Sequence, residues 1–387
     1  MEYPKATEIT AVHGLLGPAG PCPINPCREK DCPEAPAEFT HCLRSRVFSF
    51  TYEGEPAPLK EYLTERYRYG RPGSWALSFY PERVRLNGRE VSPDTMVQPG
   101  DRISYRHLRN EEPPPPPLQT PLYTDQWLLA LEKPDSVPVN PSGVYYYTSL
   151  SVWARELLEE PELTPLHRLD LETAGVLLLV RRSSYINAFQ RLFRVRRVRK
   201  RYRALVHGHF PLDLKTMAGR IVPAEDSPIH TLLRLVPARE PAPDSEEGAQ
   251  AGRAQASLTN ILGVTHHTLA GEKYSEVELE PVTGQTNQLR VQLAHLGHHI
   301  VGDKKYHPDP EVFLDWVRHR DFGRLRGQLV LPRQALHCLE MSLEHPFTGE
   351  SLRIASRPGA WEERIAPLMT RHGTGGPAAP CTESTAD

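Results

Sequence analysis

The stretch EEPPPPPLQTP, Glu111 to Pro121, can be neither a helix nor a central strand. Each proline fixes φ near −65° and lacks an amide proton. The run is therefore a stiff extended spacer, and the chain on either side of it must fold around separate cores. A length of 387 residues leaves room for both. Two further stretches punctuate the sequence. PAREPAPDSEEGAQAGRAQA, residues 237–256, has the composition of a flexible surface insertion, and RHGTGGPAAPCTESTAD has that of a disordered tail. The expected organisation is a Cys/Pro-rich leader (1–45), a small domain (46–108), a linker (109–121), a large domain (122–367) interrupted by the insertion, and a tail (368–387).

The formal net charge of −2 gives no whole-chain reason to expect nucleic acid. The local balance does, because from Arg181 to Arg203 every charged residue is Lys or Arg. No apolar run approaches the ~20 residues of a membrane span, and the amino terminus lacks a signal or transit pattern. These features predict a cytoplasmic, monomeric protein without membrane contact. The leader holds Cys22, Cys27, Cys32 and Cys42 with His13 and His41, a set that could ligate zinc. Its spacing lacks the paired knuckles of structural zinc sites, so no metal is expected.

Before the spacer, PLKEYLTERY puts Leu59, Tyr62, Leu63 and Tyr67 on one helical face. RVRLNGREV alternates around Asn87-Gly88, a strong hairpin signal, and VQPGDRISY adds a turn and another strand. This arrangement resembles the small RNA-binding domain named after a ribosomal small-subunit protein and carried by many RNA-modifying enzymes. After the spacer, short β-like runs (WLLALEKP, GVLLLVRR, YRALVHG, TLLRLVP, YSEVELEPV, LHCLEMSLEHP) alternate with helical segments (SLSVWARELLEE, SYINAFQRLF, NQLRVQLAHLG). The fold class read from this mixture is α+β, with a largely antiparallel sheet.

HRLDLETAGVLLLV, His167 to Val180, sets Asp170 immediately before a strand that reads as buried. Such an acid caps a turn through Thr173, pairs with Arg168, or reacts. His-Arg-Leu-Asp also looks like a kinase catalytic loop, with Asp321-Phe322-Gly323 as its metal-binding triplet. The triplet lies far too distant in sequence, and no Gly-rich phosphate loop precedes it.

These residues do resemble the catalytic motif of the RluA-type pseudouridine synthases, and four further stretches agree in order. LLALEKPDSVPVNPSG is similar to that family's lysine-proline loop, here Lys133-Pro134. VRKRYRALVHG is similar to the strand bearing its lysine and active-site tyrosine, here Lys200 and Tyr202. PVTGQTNQLRVQLAHLGHHIVGDKKY is similar to its signature helix and Gly-Asp turn, and LHCLEMSLEHPFTGE to its closing strand.

The resemblance implies isomerisation of uridine to pseudouridine in ribosomal or transfer RNA, without a cofactor. It makes Asp170 the nucleophile, Arg290 the cation that keeps Asp170 ionised, and Tyr202 the aromatic platform under the uracil. Leu289 completes the apolar wall, and Arg168 holds the flipped nucleotide or fills the space it leaves. Lys200 and the stripe residues Arg196, Arg197 and Arg199 contact RNA. This chain departs from the family at Gln285 and Asn287, where Arg and His are usual. Those departures motivate the alternative of a catalytically silent RNA-binding protein that keeps the fold.

Overall fold

The structure is a computed structural model that describes residues 45–66, 84–108, 112–142, 145–237 and 255–372. Tyr67, the leader with its cysteines and histidines, nearly all of the insertion, and the tail beyond His372 lie outside these residues. The chain forms two units. One comprises the residues up to Arg197 with Leu314–Asp321 and Glu344–Ile354, the other Val198–Phe313, Phe322–Leu343 and the residues from Ala355 onward. The stretch 122–367, read in sequence as one domain, thus contributes to both.

In the first unit, the segment before the spacer forms a sheet ordered Ser45–Thr51, Arg102–Leu108, Val84–Leu86, Arg89–Glu90. Its hairpin turns at Asn87 (φ 52°) and Gly88 (φ 80°), the left-handed pair that a tight two-residue turn requires. The helix Leu59–Arg66 closes the sheet by burying Leu59 and Leu63 against Tyr52, Val84, Val97 and Ile103. Prolines keep the spacer extended, yet it is docked rather than free. Leu118 is buried, and the buried Glu112 carboxylate accepts the backbone N–H groups of Tyr146, Tyr147 and Thr148.

The rest of this unit is built on Ala174–Val180, paired antiparallel with Leu128–Lys133, which in turn pairs Tyr123–Thr124. Every residue of both longer strands is buried. That is why their sequences read as continuous apolar runs rather than alternating ones. The helices Leu150–Leu157 and Ile186–Arg194 flank them in sequence, where the expected helical segments lie.

The second unit holds an antiparallel sheet ordered Leu233–Val236, Thr216–Pro223, Gln255–Leu269, Glu272–Pro281, Arg199–His207, Leu336–Glu344. The helix Gln288–His295 follows the strand Glu272–Pro281, and Ala360–His372 ends the described chain. The architecture is α+β with antiparallel strand pairs, as the sequence predicts. Among the described residues no helix is long and apolar enough to cross a membrane.

Candidate active site

Asp170 sits half-buried in the turn that leads into Ala174–Val180. Its backbone carbonyl closes that turn by accepting the Thr173 N–H at 3.1 Å. The fully buried Lys133 fixes the loop from below, donating to the carbonyls of Pro134 (2.9 Å), Leu171 (3.1 Å) and Thr173 (2.9 Å). A second brace is His167, whose Nε2 accepts the Leu178 N–H at 3.1 Å while its ring stacks on Phe193. Acceptance at Nε2 requires the neutral imidazole protonated at Nδ1. Arg168 is exposed beside the same loop. The lysine-proline motif, noted in sequence without a role, is thus the mount of the Asp170 turn. Lys133→Met is expected to strand these carbonyls and cost about 3 kcal/mol. A denaturation midpoint equal to that of wild type would remove Lys133 from this role.

In the second unit, Arg199–His207 alternates two kinds of side chain. Lys200, Tyr202 and Ala204 take one face, with Tyr202 only 8% exposed. A bulge between Arg201 and Tyr202 sets Tyr202 opposite Cys338 in the neighbouring strand. Burial lowers the Lys200 pKa, opposed in part by Cys338, and its amine lies 3.4 Å from where a Gly284 Cβ would sit.

Arg199, Arg201 and Arg203 take the opposite face and meet the acids that alternate along Glu272–Pro281. Arg199 pairs with Glu280 (2.8 Å), Arg201 with Glu278 (3.0 Å), and Arg203 with Glu278 (2.6 Å) and Glu276 (3.7 Å). The basic stripe read as one surface is therefore divided. Its strand half is neutralised by glutamates distant in sequence, and Arg199 is an ion-pair partner although 71% exposed. Arg191, Arg194, Arg196 and Arg197 are exposed at the end of Ile186–Arg194 and in the turn that follows. The structure assigns these four no carboxylate among the described residues.

The signature segment builds a tight frame around Arg290. Nε and Nη2 of Arg290 grip the fully buried Asp303 side-on at 2.6 and 2.9 Å, and Nη1 donates to Asn287 Oδ1 at 3.1 Å. Burial would raise the Asp303 carboxyl. The charge and hydrogen bonds of Arg290, the Tyr306 amide and Lys304 outweigh it and hold the group below its ordinary 3.8. Gly302 precedes this aspartate at φ 80°, and a Cβ there would stand 2.2 Å from the Arg333 carbonyl oxygen, so only glycine fits.

The helix itself is anchored by two buried glutamines one turn apart. Gln288 accepts from Thr283 Oγ1 and the Gln285 N–H and donates to Leu258 O and Thr259 Oγ1. Gln292 accepts from Thr259 Oγ1 and donates to Met217 O and Ser257 Oγ. Leu289, on the same helix, is 7% exposed. Sequence reasoning named Arg290 and Leu289 but assigned no role to Asp303, Gln288 or Gln292. A spacing of four on a helix whose other buried positions are apolar was the one sign that the glutamines face inward.

Among the described residues no group of three or more His, Cys, Asp or Glu could hold a metal ion. The leader cysteines lie outside those residues.

Comparison with known proteins identifies the family. The family described as RNA pseudouridylate synthase matches residues 127–295, a span that includes Lys133, Asp170, Tyr202 and Arg290. The tRNA pseudouridine synthase C of Salmonella typhi is 32% identical over 235 residues, covering 60% of this chain and 83% of that protein. The ribosomal large subunit pseudouridine synthase C of Haemophilus influenzae is 26% identical over 282 residues, covering 70% and 78% respectively. A solved structure of human RNA pseudouridylate synthase domain containing 1 overlays with a TM-score of 0.49 at 24% identity, covering 66% of this chain and 90% of that one. With the motifs in order and a relative this similar along most of its length, the chain belongs to the RluA-type family of RNA pseudouridine synthases.

Proposed function

We propose that this pseudouridine synthase acts on structured ribosomal or transfer RNA, with Asp170 as its nucleophile and Arg290 and Tyr202 as its partners in the reaction. The observation that carries the reading is the rigid mounting of the Asp170 turn on Lys133, within the span that matches the family. Asp170 and Arg290 belong to different units, and their pairing is proposed on chemistry. A guanidinium has five N–H donors. Asp303 and Asn287 engage Arg290 through all three of its nitrogens, and arginine is suited to binding a further carboxylate through charge-assisted hydrogen bonds.

The reaction breaks the bond between C1′ and N1 of uracil and forms one between C1′ and C5. C5 loses a proton and N1 gains one, so atoms balance with no cofactor. Asp170 attacks the ring or the sugar, or assists elimination at the sugar. Tyr202 stacks on the uracil once it has left the RNA stack. Leu289 supplies apolar wall, Lys200 contacts RNA, and Arg168 occupies the space the base leaves. Incubating the protein with total RNA from a strain lacking its gene, and mapping new pseudouridines, tests this directly. RNA that is bound but unmodified would favour the silent binder.

Phosphate contacts are assigned to Arg191, Arg194, Arg196 and Arg197, with Arg199 at the margin because of Glu280. Log K should fall with log salt by ~0.7–0.9 per phosphate contact. Replacing the four with Gln is expected to flatten the slope by about 3, whereas Arg199→Gln should change it little. Equal slopes for the fourfold variant and wild type would put the phosphates elsewhere.

A further inference from the structure

The residue before the signature helix, Asn287, has left-handed backbone geometry, φ 55° and ψ 20°, which asparagine, aspartate and histidine adopt more readily than other non-glycine residues. Its side chain makes no cap hydrogen bond to the helix it precedes. Instead the amide joins two other groups. Oδ1 accepts from Arg290 Nη1 at 3.1 Å, and Nδ2 donates to the Tyr306 hydroxyl at 3.2 Å.

Tyr306 is buried at 7% exposure, and its ring lies 5.0 Å from the Arg290 guanidinium carbon. Its backbone N–H and that of Lys305 donate to Asp303 Oδ1, the carboxylate that also grips Arg290. The contacts close into a ring: Arg290 to Asp303, Asp303 to the Tyr306 backbone, the Tyr306 phenol to Asn287, and Asn287 back to Arg290. Burial pushes the phenol up to about 12, against the pull of Arg290 and of Asn287, so it stays protonated and neutral beside the guanidinium.

We propose that Asn287 is a positioning residue for the reaction, an amide bridge between Arg290 and Tyr306 that holds the guanidinium in one orientation. The inference rests on the assignment of Arg290 to the reaction. Side-on contact with Asp303 ties one edge of the guanidinium. The bond from Nη1 to Asn287 ties another corner, and the phenol fixes the amide. The bridge also accounts for this chain's departure from the usual histidine. A neutral imidazole has one acceptor and one donor nitrogen, the same pair of functions that the amide presents.

The test uses the full chain, with unmodified ribosomal and transfer RNA transcripts as substrate. Single-turnover pseudouridine formation at saturating enzyme, the Kd for RNA and the melting temperature are measured together. Asn287→Gly keeps the left-handed backbone and deletes the bridge. It is expected to slow the chemical step by about tenfold or more, ~1.4 kcal/mol, with Kd within about twofold of wild type. Asn287→His should recover the rate to within about threefold, ~0.65 kcal/mol. Adding Tyr306→Phe to Asn287→Gly should slow the reaction no further, because both changes break one bridge.

Asn287→Gly at the wild-type rate overturns the proposal, as does a loss that Asn287→His does not recover or that adds in full to the effect of Tyr306→Phe. Should Asn287→Gly not fold, the Asn287→His and Tyr306→Phe comparison carries the test: wild-type rate in Tyr306→Phe overturns the bridge, and a slowed step at unchanged Kd upholds it. Asp170→Asn separates the two levels. If it turns over, the underlying assignment falls and the bridge falls with it. If it is dead while Asn287→Gly matches wild type, the bridge alone fails.

Discussion

Asp170→Asn is expected to reduce pseudouridine formation by about 10⁴-fold or more, over ~5 kcal/mol in the barrier. The exchange is nearly isosteric, and the turn it sits in is closed by the backbone carbonyl of residue 170, which the substitution leaves in place. Lys133 and His167 brace the loop through other atoms. Stability should therefore change by less than about 1 kcal/mol, and RNA binding should survive because phosphate contacts dominate it. A folded, RNA-binding, inactive protein is the signature of a lost nucleophile. Turnover near the wild-type rate in a quantitative pseudouridine assay would transfer the nucleophile's role to another residue.

Much of the fold was legible because local rules and tertiary demands agree. Asn87-Gly88 marks a hairpin since both residues must adopt positive φ, and they do. The runs Leu128–Lys133 and Ala174–Val180 read as strands because burial on both faces leaves no polar positions except the closing Glu132-Lys133 pair. That lysine was also the least legible residue. It donates to the carbonyls of Pro134, Leu171 and Thr173, and backbone acceptors leave no trace in side-chain sequence.

The basic stripe shows the same limit. Alternation along Arg199–His207 predicts that Tyr202 and Arg201 take opposite faces. It does not reveal that Glu276, Glu278 and Glu280 wait beneath the arginines, because strand pairing at that sequence distance is a tertiary fact. At the candidate site, the resemblance points to Arg290. Only the fold shows that a carboxylate, Asp303, holds one edge of it.

The Asp303 carboxylate makes Arg290→Met the other large effect, expressed as stability as well as activity. Asp303 is fully buried, and Arg290 is 12% exposed on its side chain. Removing the guanidinium leaves a buried carboxylate held mainly by the amides of Lys305 and Tyr306. Breaking such a pair from one side costs about 3–5 kcal/mol. The pH dependence separates this cause from lost packing. In wild type the folded pKa of Asp303 lies below its ordinary 3.8. The pair's contribution is then complete above that value and lost as pH falls through the folded one.

In Arg290→Met, burial acts without its main opponent and raises the folded pKa, so protonation relieves the variant on acidification while wild type gains nothing comparable. The stability gap between the two proteins, read from urea denaturation, should be widest at neutral pH and narrow toward pH 4. Adding Asp303→Asn should restore a large part of the stability and, if Arg290 takes the part in the reaction proposed above, none of the activity, since it removes the stranded charge but does not return the guanidinium. A gap of constant size across that range would instead mean that Arg290 stabilises the protein through its packing alone.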